Sequence, residues 1–236
     1  MTRAPTVVVL AGGQGRRLLP YTLSVPKPMM PVGGKPILEI LVGQLAGSGY
    51  AELVFAIGHL GDIIRDHFGD GRAFGVSIRY SAEPSALGTA GPLDLLRDML
   101  DRTFVLVNGD ILADFDWPAI VEAHRRNASE ATVVLARRDE ALDFGVVALD
   151  PSGRVASWQE KPVVERLVSA GACVFEPGAL ERLPRGERTD LPEFVMALVR
   201  AGRNVRGHLH PGRWLDIGRP ADYERACADA ARGAPG

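Results

Sequence analysis

Three glycines in four positions, Gly12, Gly13 and Gly15, follow Leu10-Ala11 and precede Arg16-Arg17. A loop without Cβ atoms lets backbone amides close around a phosphate chain. Arg17 can then fork two phosphate oxygens. The spacing is neither a Walker A loop nor G-x-G-x-x-G, and taken alone it reads equally well as a turn with two solvated arginines. A second segment, Pro26-Lys27-Pro28-Met29-Met30-Pro31, sets a lysine between prolines. The stiffened backbone aims the ammonium at reduced entropic cost. Lys35, by contrast, reads as a surface lysine. Asp110, in Asn108-Gly109-Asp110, and Asp216, in Trp214-Leu215-Asp216-Ile217-Gly218, each follow an apolar strand, at the carboxyl end where α/β sheets place ligands. Two carboxylates completed by phosphate oxygens and water suit Mg²⁺. Taken singly, Asp110 is a turn residue and Asp216 a helix-capping acid.

Glu83 opens the stretch E-P-S-A-L-G-T-A-G-P-L. A carboxylate offers only acceptors, which answers the ring N–H and exocyclic amine of guanine. Uracil and thymine present an acceptor and a donor, which a glutamine matches better. The plainer reading is that Glu83 simply ends a strand.

The glycine loop and proline loop, with their spacing, resemble the sugar-1-phosphate nucleotidylyltransferases, whose pattern is L-A-G-G-x-G-T-R-L-x-P followed by a K-P-M-x-P loop. Further matches follow in order: Glu83-Pro84 through Leu87-Gly88-Thr89-Ala90-Gly91, Asn108-Gly109-Asp110, Phe144-Gly145-Val146-Val147, Glu160-Lys161-Pro162 and Trp214 to Gly218. The resemblance implies joining of a nucleoside triphosphate to a sugar 1-phosphate with Mg²⁺. Arg17, Lys27 and Asp110 would be catalytic, with Asp110 and Asp216 on the metal. The nucleotide would meet Leu10, Ala11, Gly12, Gly13, Gly15, Arg17, Lys27, Glu83, Gly88 and Thr89. The sugar phosphate would meet Asn108, Gly145, Glu160, Lys161, Ser169 and Gly171. Glu83 and its neighbours look like the guanylyl branch, giving GTP with a mannose- or heptose-type 1-phosphate as the expected pair and uridylyl or thymidylyl transfer as the alternative.

Two departures stand out. The family threonine of the first loop is Arg16 here, and the family's common Asn-Ala-Gly is Ser169-Ala170-Gly171, which leaves the sugar open. A catalytically silent regulator remains a rival, although Arg17, Lys27, Asp110 and Asp216 all stand. A glycosyltransferase is disfavoured because no Asp-x-Asp follows the strand. A dinucleotide oxidoreductase is disfavoured by the loop's spacing and by the proline segment behind it.

These residues need a scaffold, and the apolar periodicity supplies one. Strands are predicted over Thr6–Leu10, Glu52–Ile57, Val76–Tyr80 and Phe104–Val107. Helices are predicted over Pro36–Ser48, Leu60–Phe68, Thr89–Leu100 and Trp117–Arg126. The alternation implies an α/β fold, a Rossmann-like three-layer α/β/α arrangement with a mostly parallel mixed sheet. Beyond it lie strand-like runs over Ala131–Arg137, Gly145–Leu149, Val155–Gln159 and Val168–Phe175, with a hairpin turn at Asp150-Pro151-Ser152-Gly153. A helix over Leu191–Ala201, a strand over Val205–Leu209 and a helix over Pro220–Ala231 follow. The terminal Gly-Ala-Pro-Gly is expected to fray. One domain is expected: a nucleotide-binding half to about residue 127, a sugar-binding half over about 128–218, and a C-terminal helix over 219–232.

Composition adds exclusions. The chain has 236 residues, 46% hydrophobic and 24% charged, as in ordinary globular proteins. A net charge of −2 gives no overall pull on nucleic acid or acidic lipid, so any phosphate must be held locally. No apolar run reaches the roughly 18 residues of a membrane span, and the N-terminus does not read as a signal peptide. Cys173 and Cys227 make neither a disulfide framework nor a zinc motif. The five histidines form no metal pattern, and Trp158 and Trp214 could stack on a base or sugar, with packing in the core the expected use for each. The expectation is a cytoplasmic monomer or homodimer. The short stretch after Pro220 further resembles compact, monofunctional members of the family.

Overall fold

The computed structural model describes residues 4–232; the terminal Gly-Ala-Pro-Gly lies outside the described residues. Seven strands form one sheet in the order Val205–Leu209, Ala131–Ala141, Val163–Phe175, Phe104–Asn108, Thr6–Ala11, Glu52–Ile57, Ser77–Ala82. The pairings are parallel except where Val163–Phe175 runs antiparallel to both its neighbours. The expected mostly parallel mixed sheet is therefore the one observed. No helix among the described residues is long and apolar enough to cross a membrane.

Alternation along the first strand explains the layering. Successive side chains of a strand face opposite sides of the sheet, and in T-V-V-V-L-A both sides are apolar. Val7, Val9 and Ala11 join one core, with Leu38, Leu41 and Leu45 of the Ile37–Gly47 helix, Ile64 and Phe68 of the Gly61–Phe68 helix, and Trp117 and Ile120 of the Trp117–Arg126 helix. Val8 joins a second core with Leu93, Leu96, Phe104, Phe175 and Phe194. The third core is smaller: Leu18, Met30, Val32, Ile37, Ile217 and Ala226. It fastens the glycine loop, the proline loop and the segment after Asp216 to the Pro220–Ala231 helix.

Three features differ from the sequence reading. The segment expected as a helix over Thr89–Leu100 is a 3-10 helix over Gly91–Met99. The N–H groups of Ala90 and Gly91 both bond the carbonyl of Thr189, so the start of the helix is tied to another segment. The strands Ala131–Ala141 and Val163–Phe175 are longer than their apolar cores. Their outer halves pair in solvent, with Arg137 3.1 Å from Glu165 and Arg166 3.9 Å from Glu140. Trp158 is 65% exposed on the hairpin of Val146–Leu149 and Val155–Gln159, whereas Trp214 is half-buried and donates to the carbonyl of Ala170 at 2.9 Å. A short ribbon also escaped the sequence reading. Trp214–Asp216 pairs antiparallel with Ile111–Ala113, drawing the two aspartate segments side by side.

Phe175 is fully buried between Phe104 and Phe194, with ring centroids 5.6 and 5.3 Å away. Phe175→Ala is expected to cost about 3–5 kcal/mol, read as a lowered urea midpoint at unchanged slope.

Candidate functional site

A cavity of about 510 Å³ opens at the carboxyl ends of the first strand and the Phe104–Asn108 strand. Leu10, Ala11, Gly12, Gly13 and Gly15 form one wall with Arg16 and Arg17, and Lys27 and Pro28 adjoin them. Glu83, Gly88 and Thr89 stand on another side, and Asn108, Asp110 and Asp216 complete the lining. The expected nucleotide and metal residues therefore share one space.

Close packing holds these loops in place. Gly15 adopts φ +61°, and a Cβ there would come within 2.9 Å of Thr22 and 3.2 Å of Lys27. Thr22 Oγ1 donates to the Gly15 carbonyl at 3.0 Å, binding the glycine loop to the segment that leads to Lys27. Gly12 lies under Glu83, since a Cβ on it would stand 2.7 Å from Glu83 Oε1. The Gly109 N–H bonds the Leu10 carbonyl at 2.9 Å, which fixes Asp110 beside the loop.

The Lys27 side chain is only 10% exposed, and its ammonium lies 2.5 Å from Asp110 Oδ2 and 3.7 Å from Asp216 Oδ1. Two carboxylates that bracket one ammonium can also reach one small cation. Among the described residues no group of three His, Cys, Asp or Glu side chains converges, so the protein offers two hard oxygen donors. That is the donor set Mg²⁺ takes when phosphate and water fill its remaining positions. Burial raises the Asp216 carboxyl above its usual value; the Lys27 ammonium opposes this, and Asp110 adds to it. Glu83 is also pushed up by burial, partly offset by the Leu87 N–H that donates to its Oε2 at 3.0 Å.

The expected sugar residues divide. Asn108 lines the cavity and packs against Gly171, where a Cβ would stand 3.0 Å from Asn108 Nδ2. Ser169 is exposed on the outer strand. Gly145 and Glu160 cluster with Trp158, whose Nε1 donates to Glu160 Oε2 at 3.2 Å. Lys161 sits at the following turn with φ +44°. Gly145, Glu160, Lys161, Ser169 and Gly171 do not line the cavity.

Sequence reasoning missed Arg188 and Asp190, which line the cavity beside Gly88 and Thr89. Asp190 Oδ1 accepts from the Thr89 N–H at 3.2 Å, and Thr89 Oγ1 accepts from the Leu191 N–H at 2.7 Å. Arg188 Nη2 donates to Asp190 Oδ2 at 2.8 Å. The one sequence signal was the helix start at Asp190-Leu191-Pro192-Glu193, which announces a cap and nothing about a site.

A model of the nucleotidyl transferase family matches residues 6–233. A mannose-1-phosphate guanylyltransferase of Mycobacterium tuberculosis is 33% identical over 98% of this chain and 66% of its own length. A UTP–glucose-1-phosphate uridylyltransferase of Synechocystis is 34% identical over 93% of this chain and 61% of its own. The chain thus spans slightly less than two thirds of these curated relatives. A Bacillus anthracis structure assigned as a glucose-1-phosphate thymidylyltransferase superposes with a TM-score of 0.78 at 26% identity, covering 96% of this chain and 95% of that one.

Gly88 has φ +83°, and a Cβ would meet the Thr189 carbonyl at 2.5 Å and Asp190 Oδ1 at 2.6 Å. Gly88→Ala is expected to lower stability by about 1–3 kcal/mol in urea unfolding. Gly13→Ala, with nothing within 4 Å of the added methyl, is expected to stay within about 0.5 kcal/mol of the parent.

Proposed function

The chain belongs to the nucleotidyl transferase family, and from that premise we propose that it joins a nucleoside triphosphate to a sugar 1-phosphate, releasing pyrophosphate and an NDP-sugar. The supporting observation is the convergence of the glycine loop, Arg17, Lys27, Asp110 and Asp216 on one cavity that Glu83 also lines. A phosphate oxygen of the sugar 1-phosphate attacks the α-phosphorus in line as the bond to pyrophosphate breaks. The attacking oxygen is already anionic and needs no general base. The protein's contribution is orientation and neutralisation of phosphate charge.

Amides of Gly12, Gly13 and Gly15, next to Leu10 and Ala11, cradle the triphosphate, and Arg17 forks its oxygens. Lys27 presents a desolvated ammonium to the reacting phosphates. Asp110 and Asp216 hold Mg²⁺, which when bound supplies further positive charge to the phosphates. Glu83, Gly88 and Thr89 receive the base. Asn108, with Gly145, Glu160, Lys161, Ser169 and Gly171 on the outer strands and hairpin, receives the sugar phosphate. In this reading residues to about 127 serve the nucleotide and about 128–218 the sugar, within one domain closed by the 219–232 helix. With small phosphates as substrates and a chain net charge of −2, neither a nucleic-acid nor a membrane partner is expected. The expected setting is the cytoplasm, as monomer or homodimer.

The preferred pair is GTP with a mannose- or heptose-type 1-phosphate. Glu83 supports it, because its carboxylate can accept from both guanine donors, and so does the likeness to the Mycobacterium tuberculosis guanylyltransferase. The likeness to the Synechocystis uridylyltransferase favours UTP with a hexose 1-phosphate as the second reading.

Pyrophosphate release with Mg²⁺ is measured for five nucleoside triphosphates against hexose, heptose and amino-sugar 1-phosphates. One nucleotide–sugar pair should dominate, and EDTA should abolish its turnover. Lys27→Met should lower kcat/KM about 100-fold or more, as loss of a charge-stabilising donor does. Glu83→Gln should lower use of GTP about tenfold relative to UTP. Unchanged relative use removes Glu83 from base selection, and a folded protein that binds nucleotide without any release is the silent regulator.

A further inference from the structure

Two groups of opposite hydrogen-bonding character are fixed at either end of the Glu83–Thr89 loop. Glu83 has one carboxylate oxygen held by the Leu87 N–H at 3.0 Å, while its other oxygen lies over Gly12. At the far end, Asp190 takes the Thr89 N–H with Oδ1 and the Arg188 guanidinium with Oδ2. The register is locked further by backbone bonds from Thr189 N–H to the Leu87 carbonyl at 2.9 Å, and from Ala90 N–H to the Thr189 carbonyl at 2.9 Å. Among the described residues Asp190 is the one hydrogen-bond partner of the Arg188 guanidinium, and the Arg188 side chain is 62% exposed. It nevertheless lines the same cavity as Glu83, Ala86, Gly88 and Thr89. Only one fork of its guanidinium is engaged, so further N–H donors are free to meet a ligand.

An ionised carboxylate is acceptor-only, and a guanidinium is donor-only. Guanine, uracil and thymine carry a carbonyl oxygen beside a ring N–H. Adenine and cytosine carry an amino group beside an unprotonated ring nitrogen, the reverse pattern. We propose that Arg188, oriented by Asp190, determines base specificity together with Glu83 by donating to the base carbonyl, so that keto bases are accepted and amino bases repelled. This rests on the transferase reading for its substrate class, but not on which keto base or sugar is used. With an amino base, an N–H would face the guanidinium and a lone pair would face the carboxylate. Both contacts are then lost at once, a larger penalty than a missing methyl group incurs.

Equilibrium binding of GTP, UTP, ATP and CTP, without sugar phosphate, is measured for the parent, R188A and R188K, alongside pyrophosphate release. Melting curves establish that each variant is folded. The parent should bind its better keto nucleotide at least tenfold more tightly than ATP or CTP. R188A should narrow that gap by about tenfold to a hundredfold, chiefly by weakening the keto nucleotide. R188K, which keeps a donor, should recover part of it. A parent without keto preference, an R188A gap equal to the parent's, or equal weakening of all four nucleotides overturns the proposal; the last marks Arg188 as a phosphate contact. Keto-selective binding lost in R188A, with no pyrophosphate release from any sugar phosphate, leaves the base reader standing and removes the transfer reading.

Discussion

An ammonium carried on a proline-stiffened loop lies between two carboxylates that reach it from distant parts of the chain, and the arrangement of the site follows from that meeting. Lys27 is almost fully buried, and a buried charge is tolerated only when its partners are well placed. Asp110 supplies the close contact from the turn after the Phe104–Asn108 strand, and Asp216 the longer one from the ribbon near the C-terminus. Satisfying this one cation therefore requires the proline loop, the strand end and the ribbon to be in register. The same requirement leaves a desolvated, directed positive charge in the cavity before any ligand arrives.

The small third core does the mechanical part. Leu18 anchors the glycine loop, Met30 and Val32 the proline loop, and Ile217 the segment after Asp216, in one cluster with Ala226 of the last helix. Tyr223 adds a hydrogen bond to the Pro31 carbonyl at 2.8 Å. The loops are thus fastened from below by apolar contacts, while the glycine backbone, Arg17 and Lys27 line the cavity. Apolar burial is undirected and tolerant of detail, so it suits the anchoring side and leaves the polar side free for chemistry.

Much of this was legible from local pattern. The strands Glu52–Ile57 and Val205–Leu209 and the helix Trp117–Arg126 occur where the pattern puts them. Glycine spacing, a proline-framed lysine and aspartates at strand ends are likewise local, and the structure gathers them around one cavity. What escaped is non-local. Arg188 comes to the cavity beside a crossing in which the Thr189 carbonyl takes two N–H groups from residues 90 and 91, and the segment that starts at this crossing is a 3-10 helix although its periodicity reads as α-helical. The ribbon of Ile111–Ala113 with Trp214–Asp216 is too short for any period to register. Trp158 was misplaced because aromatic rings are usually buried, whereas its hairpin projects into solvent.

The strand Val163–Phe175 changes character partway along. Its pairing with Ala131–Ala141 slips between Ser169 and Cys173, Gly171 takes φ +76° there, and the residues before the slip are mostly exposed while those after it are buried. A bulge of this kind interrupts the hydrogen-bond ladder and bends the strand, so packing constraints on the inner half are not passed to the outer half. The projecting arm is in effect a cassette: its side chains and hairpin length can drift under selection for a new ligand while the sheet beneath keeps its jigsaw of valines and phenylalanines.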